Sequence, residues 1–129
     1  MSGYLLDTSI ALLGLASPER IRLKVRRAIE GGPVYVSVIS YWEVVLKSIK
    51  GKLDVGDPRA WWPEALDKLT ATPLPLRPGH IAEVYNLEPI HQDPFDRVLI
   101  AQAKVEGLTL VTTDSDIPKY ASARFRVLG

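Results

Sequence analysis

Short apolar runs alternate with helical stretches along this chain, and that alternation limits how its strands can pair. Tyr4-Leu5-Leu6, Val34-Tyr35-Val36-Ser37, Leu108 to Thr113 and Arg124 to Leu128 read as strands. Parallel strands need a crossover of a dozen or more residues, usually a helix, and helical segments stand between most of these runs. The expected fold is therefore α/β, with helices in layers on both faces of a central, mostly parallel sheet of about five strands. Ala71 to Leu76, interrupted by Pro73 and Pro75, is expected as a short edge strand or an extended connector.

Local punctuation sets the helix boundaries. An apolar stretch from Ile10 to Leu15 follows the first strand, and Pro18 suits the first turn of a helix carrying Ile21, Val25, Ala28 and Ile29 before Gly31-Gly32. Ser40-Tyr41-Trp42-Glu43 has capping-box spacing ahead of Val44, Val45, Leu46 and Ile49, so a helix is expected to start there and close at Gly51. Asp57-Pro58 marks another start, leading through Trp61, Trp62, Leu66 and Leu69 with Pro63 as a kink point. Arg77 to Leu87 is helical, and Asp93-Pro94-Phe95-Asp96 opens the clearest helix, which Gly107 stops. No repeat, low-complexity tract or linker divides the sequence, so one domain is expected over residues 1–129.

Composition narrows the function classes. Sixteen basic and fifteen acidic residues leave a formal charge of +1, so affinity for a polyanion must come from local patches. The absence of cysteine removes disulfides, thiolate zinc sites and cysteine nucleophiles together. With no apolar run long enough to cross a bilayer and no signal-peptide pattern, a soluble cytoplasmic protein is expected.

Four carboxylates carry the chemical signal. Asp7 and Asp114 fall just past the carboxyl ends of the first strand and of Leu108 to Thr113, while Glu43 and Asp96 open helices. Ligands of open parallel sheets bind at that carboxyl rim. Acids gathered there would repel and raise one another's pKa unless a cation neutralised them, and an all-oxygen set favours magnesium or manganese. The pattern points to a phosphodiesterase in which the cation polarises phosphate and activates water.

Each acid also has a structural reading. Glu43 can complete the capping box or serve as an exposed partner for Lys47, and Asp96 can be a first-turn acid favoured by the helix dipole. Asp96 shares a stripe with Leu99, Ile100 and Ala103, which turns it toward the sheet. Asp7 and Asp114 can cap turns. Thr8, Ser9, Thr112 and Thr113 are candidates for orienting the acids, and Asp116 for an outer contact through water. Asp93 is better explained as a helix cap. His91 and Arg97 are candidate substrate contacts, the latter for phosphate, whereas His80 and His91 lack zinc spacing. Arg20, Arg22, Lys24, Arg26 and Arg27 could steer nucleic acid, and Trp61 and Trp62 are expected in packing rather than base stacking.

Leu6-Asp7-Thr8-Ser9, Ser40-Tyr41-Trp42-Glu43, Asp93-Pro94-Phe95-Asp96-Arg97 with Leu99-Ile100-Ala101, and Thr112-Thr113-Asp114 form one ordered set. Together they resemble a PIN-domain ribonuclease of the VapC toxin type, from Tyr4 nearly to the end. The resemblance implies a central parallel sheet, a magnesium or manganese site, and RNA cleavage leaving 5′ phosphate and 3′ hydroxyl ends. It implies Asp7, Glu43, Asp96 and Asp114 as metal-binding acids, Thr8 and Thr112 as supporting residues, and Asp116 at a less regular position. It also implies a homodimer inhibited by a VapB-like antitoxin. Gln92 departs from the arginine that related toxins often carry after the histidine.

Other classes fit less well. A receiver or haloacid-dehalogenase-like phosphatase needs acids that Asp7-Thr8-Ser9 does not supply, and no Gly-x-x-x-x-Gly-Lys loop is present. A non-catalytic PIN-like RNA-binding or interaction module is the alternative to a nuclease.

Overall fold

The computed structural model describes residues 3–129, so Met1 and Ser2 of the expected domain lie outside the described residues. Its five strands are β1 (Tyr4–Leu6), β2 (Val34–Ser37), β3 (Ala71–Leu74), β4 (Thr109–Val111) and β5 (Arg126–Leu128). They form one sheet in the order β3-β2-β1-β4-β5, and every pairing is parallel. The proline-interrupted segment is the edge strand β3. Pro73 pairs with Val36 there, and an edge position lets proline's missing N–H face away from the ladder.

Six helices cover the sheet among the described residues: α1 (Thr8–Ala16), α2 (Leu23–Glu30), α3 (Val38–Ile49), α4 (Pro58–Lys68), α5 (Pro78–Asn86) and α6 (Pro94–Glu106). Successive strand side chains point to opposite faces, so Leu5 and Leu110 pack on the side of Leu99 and Ile100 from α6. Leu6 and Val111 pack instead with Ile10 and Ala11 of α1 and Val25 of α2. Leu5, Leu6, Leu99, Ile100 and Leu110 have no exposed surface. Trp61 is buried against Val44 and Ala65, and Trp62 stacks on Tyr41 at 4.9 Å, which places both tryptophans in packing as expected.

Two boundaries differ from the sequence reading. Pro18 opens only a 3-10 turn, Pro18–Arg20, because Ile21 turns extended, and α2 starts afresh at Leu23. The second difference bears on the site. Ser37, at the end of β2, caps α3 by accepting the Ile39 N–H at 3.0 Å, so the helix begins at Val38 with no intervening loop. Ser40 is therefore inside the first turn and fully buried, and Ser40-to-Glu43 is not a capping box. Asp93 caps α6 as expected, and Gly107 closes it with φ of 68°, a left-handed conformation that glycine adopts without strain.

Candidate active site

The strand order reverses between β1 and β4, and ligands of open α/β sheets bind beyond the carboxyl ends of strands at such a switch point. Asp7 follows β1 directly, with its N–H donating to Val111 O of β4 at 3.0 Å. Its Oδ1 accepts the Ile10 N–H at 2.8 Å, capping α1, and its Oδ2 accepts the Thr112 hydroxyl at 2.5 Å. Asp114 lies just past β4. Its N–H donates back to Thr112 Oγ1 at 3.0 Å, and its Oδ1 accepts the Asp116 N–H at 2.8 Å.

Two helices deliver the remaining acids. Glu43, in the second turn of α3, accepts the Thr8 hydroxyl on Oε1 at 2.6 Å and pairs through Oε2 with Lys47 Nζ at 2.9 Å. Ser40 Oγ lies 2.9 Å from the same Thr8 hydroxyl. Glu43 is thus a buried residue with an exposed partner, rather than an exposed acid. Asp96 sits in the first turn of α6, where Asp93 Oδ1 accepts the N–H groups of Phe95 and Asp96 at 2.9 and 3.4 Å. Phe95 meets Trp42 edge to face at 5.5 Å, so the residues next to Asp96 and Glu43 hold α6 against α3.

These placements bring Asp7, Glu43, Asp96 and Asp114 onto one polar cleft of about 250 Å³, with Thr8, Ser9, Lys47, Asp93 and Thr113. Burial holds the Asp7 carboxyl above the usual range, although the Thr112 and Ile10 donors oppose it. Burial and the neighbouring Asp93 push Asp96 up to about 7, against the pull of His91. Asp114 is also pushed upward by burial, but the Asp116 N–H and the His91 ring outweigh that and leave it below the usual range. The Glu43 carboxylate holds the Lys47 ammonium above its ordinary value.

His91 bridges two of the acids. Its Nε2 lies 3.0 Å from Asp96 Oδ2 and 3.2 Å from Asp114 Oδ2, while its Nδ1 faces the Asp93 N–H at 3.2 Å. With Nδ1 accepting, Nε2 carries a proton and points it between the carboxylates. His91, Asp96 and Asp114 also lie close enough together to hold a metal ion. Ligation through Nε2 would require a proton on Nδ1, where the Asp93 N–H already donates. The ring is therefore better suited to orienting the two acids than to joining the donor set.

Arg97 does not line the cleft. Its guanidinium donates to the carbonyls of Val84, Leu87, Glu88 and His91 and to the Tyr120 hydroxyl, at 2.9 to 3.4 Å. This turns it away from phosphate and makes it a clamp on the turn between α5 and α6. Tyr120 reinforces the clamp by accepting the Ile90 and His91 N–H groups at 3.1 and 2.7 Å. Asp116 contributes its N–H to Asp114, but its carboxylate pairs with Lys119 at 2.8 Å outside the cleft. His80 is fully buried, linking Glu106 to the start of α5, a structural use.

The sequence marks Lys47 only as an ion-pair partner and does not mark Tyr120. Lys47 was findable, since its spacing of four places it on the Glu43 face of the helix. Tyr120 had no local signal. A divalent cation fits the donor chemistry: the cleft offers carboxylate and hydroxyl oxygens, and two of its carboxyls are raised by burial that a cation would offset.

The fold and the cleft define an α/β protein with an acidic crevice at the switch point of a parallel sheet. The chain belongs to the PIN domain family, whose model matches residues 4–123. Its fold is similar to that of a chain in VapBC2 from Rickettsia felis bound to a promoter DNA fragment, with TM-score 0.73, 12% identity and full coverage of both chains. It is also similar to a chain of FitAcB from Neisseria gonorrhoeae, with TM-score 0.64, 21% identity, and 98% and 96% of the two chains covered. A third similar chain is from VapBC-5 of Mycobacterium tuberculosis, a member of the VapBC family of toxin-antitoxin systems, with TM-score 0.60, 19% identity, and 98% and 97% coverage. No curated protein matches the chain in sequence. No helix among the described residues is long and apolar enough to cross a membrane.

Proposed function

We propose that the protein is a divalent-cation-dependent endoribonuclease and the toxin of a toxin-antitoxin pair. The observation that carries the reading is the meeting of Asp7, Glu43, Asp96 and Asp114, from four separate parts of the chain, on one cleft at the switch point. Magnesium or manganese, held by those four acids, would supply charge neutralisation at the phosphate and a water of lowered pKa for attack at phosphorus.

The chain's own residues prepare that chemistry. Thr112 fixes Asp7 and Asp114 through one hydroxyl, and Thr8 fixes Glu43. His91 holds Asp96 and Asp114 in register through Nε2, and the Arg97–Tyr120 clamp holds His91. Asp96, raised to about 7, takes up a proton as pH falls through neutrality, and a bound cation would displace that proton.

RNA as substrate follows from the family. The antitoxin partner is supported by the toxin-antitoxin complexes in which similar folds occur. A homodimer belongs to the same reading, and the half-exposed Trp42 and Ile81 and the highly exposed Ile49 and Tyr85 leave apolar surface for protein partners.

The test is cleavage of structured RNA with magnesium, repeated with chelator and with Asp96→Asn, followed by mapping of the ends. Cleavage confined to the magnesium-loaded native chain, leaving 5′ phosphates, is expected. Equal cleavage in all three would overturn the reading. RNA retention with no cation binding would instead favour a non-catalytic module.

A further inference from the structure

Among the described side chains that line the cleft, Lys47 is the one lysine or arginine, against five carboxylates, and its ammonium pairs with Glu43 and lies in the field of Asp93 and Asp96. A polyanion cannot approach such a surface without cations. Arg97, the basic residue next to Asp96 in sequence, is tied to backbone carbonyls and is not available.

The Lys47–Glu43 pair is asymmetric. The Glu43 side chain is 8% exposed and has both oxygens engaged, one by Lys47 and the other by Thr8. The Lys47 side chain is 48% exposed, on a flexible four-carbon stem. The acid is fixed, whereas the ammonium is free to swing. A divalent cation drawing on Glu43 would leave the ammonium without that partner at the edge of the cleft.

We propose that Lys47 exchanges partners, neutralising Glu43 before a divalent cation arrives and turning to a phosphate oxygen of the RNA once the cation has taken over Glu43. The proposal rests on the ribonuclease reading and deepens it. It gives Lys47 the phosphate-binding role that Arg97 cannot fill. An ordinary helix ion pair would take no part in either binding event.

The exchange predicts effects of opposite sign in the full-length Lys47→Met protein. Calorimetry with manganese alone should give affinity roughly three- to tenfold tighter, because a competing cation has been removed. Fluorescence anisotropy with a labelled, phosphorothioate-linked oligoribonucleotide in manganese should show binding weakened roughly tenfold, with the salt slope reduced by about 0.7 for one lost contact to a single strand. Lys47→Arg should retain the oligonucleotide. If both affinities fall together or neither changes, the exchange is overturned and the nuclease reading stands. If the native chain binds manganese but no oligonucleotide, the nuclease reading falls and takes the proposal with it.

Discussion

The Thr112 hydroxyl donates to Asp7 Oδ2 at 2.5 Å across the β1–β4 boundary, and its oxygen also accepts the Asp114 N–H. One side chain therefore sets the spacing between two acids 107 positions apart. Thr112→Val keeps the shape and removes both contacts. It should move the Asp7 carboxyl further upward and weaken manganese binding and cleavage roughly 10- to 100-fold, with Thr112→Ser restoring both. Calorimetry beside thermal melts checks this, since the loss should exceed any change in stability.

The raised Asp96 carboxyl makes stability depend on pH. A folded-state value of about 7 against an ordinary 3.8 contributes stability that is present at acidic pH and is lost as pH rises through 7. The lowered Asp114 works in the opposite sense, with stability lost only on acidification below the usual carboxylate range. In chelator, urea midpoints should therefore fall between pH 5 and pH 8. Asp96→Asn should flatten that decline, and manganese should reverse it in the native chain. An equally steep decline in Asp96→Asn would refute the assignment.

Arg97 is expected to matter for folding as well as for activity. Arg97→Met removes a donor from the carbonyls of Val84, Leu87, Glu88 and His91, of which Val84 and Glu88 keep other donors, and should destabilise by roughly 1–3 kcal/mol, while Tyr120→Phe should lose about 1 kcal/mol. Both should speed amide exchange at Ile90 and His91. Arg97→Lys cannot reproduce the planar fork and should restore little.

Thr70 stands between α4 and β3 with φ of 50°, a conformation unfavourable for a β-branched residue. Thr70→Asn should raise stability by roughly 0.5–1 kcal/mol without affecting manganese affinity. Denaturant unfolding with unchanged slope checks this.

Where the signals were local, the sequence was sufficient. Asp93-Pro94 and Gly107 bound α6 unaided, and the apolar runs located four of the five strands, while the proline-interrupted segment that becomes β3 reads equally as an edge strand or a connector. Ser40 misled because its spacing to Glu43 mimics a cap, while the serine that performs the task, Ser37, lies at the end of a strand that flows straight into the helix. Arg97 misled because its partners are the carbonyls of a turn, which no residue pattern records. His91 and Tyr120 meet only after α5, α6 and the segment following β4 have packed, so their relationship belongs to the tertiary structure.

β1 lies at the centre of the sheet, flanked by β2 and β4, while β3 and β5 form its borders. Opening of folded proteins starts where backbone hydrogen bonds face solvent and ends in the core. The Asp7 N–H, bonded to Val111 between central strands, should accordingly be among the slowest amides to exchange, and those of β5 among the fastest. The chain can then fray at either border while the strand that carries Asp7 stays in place.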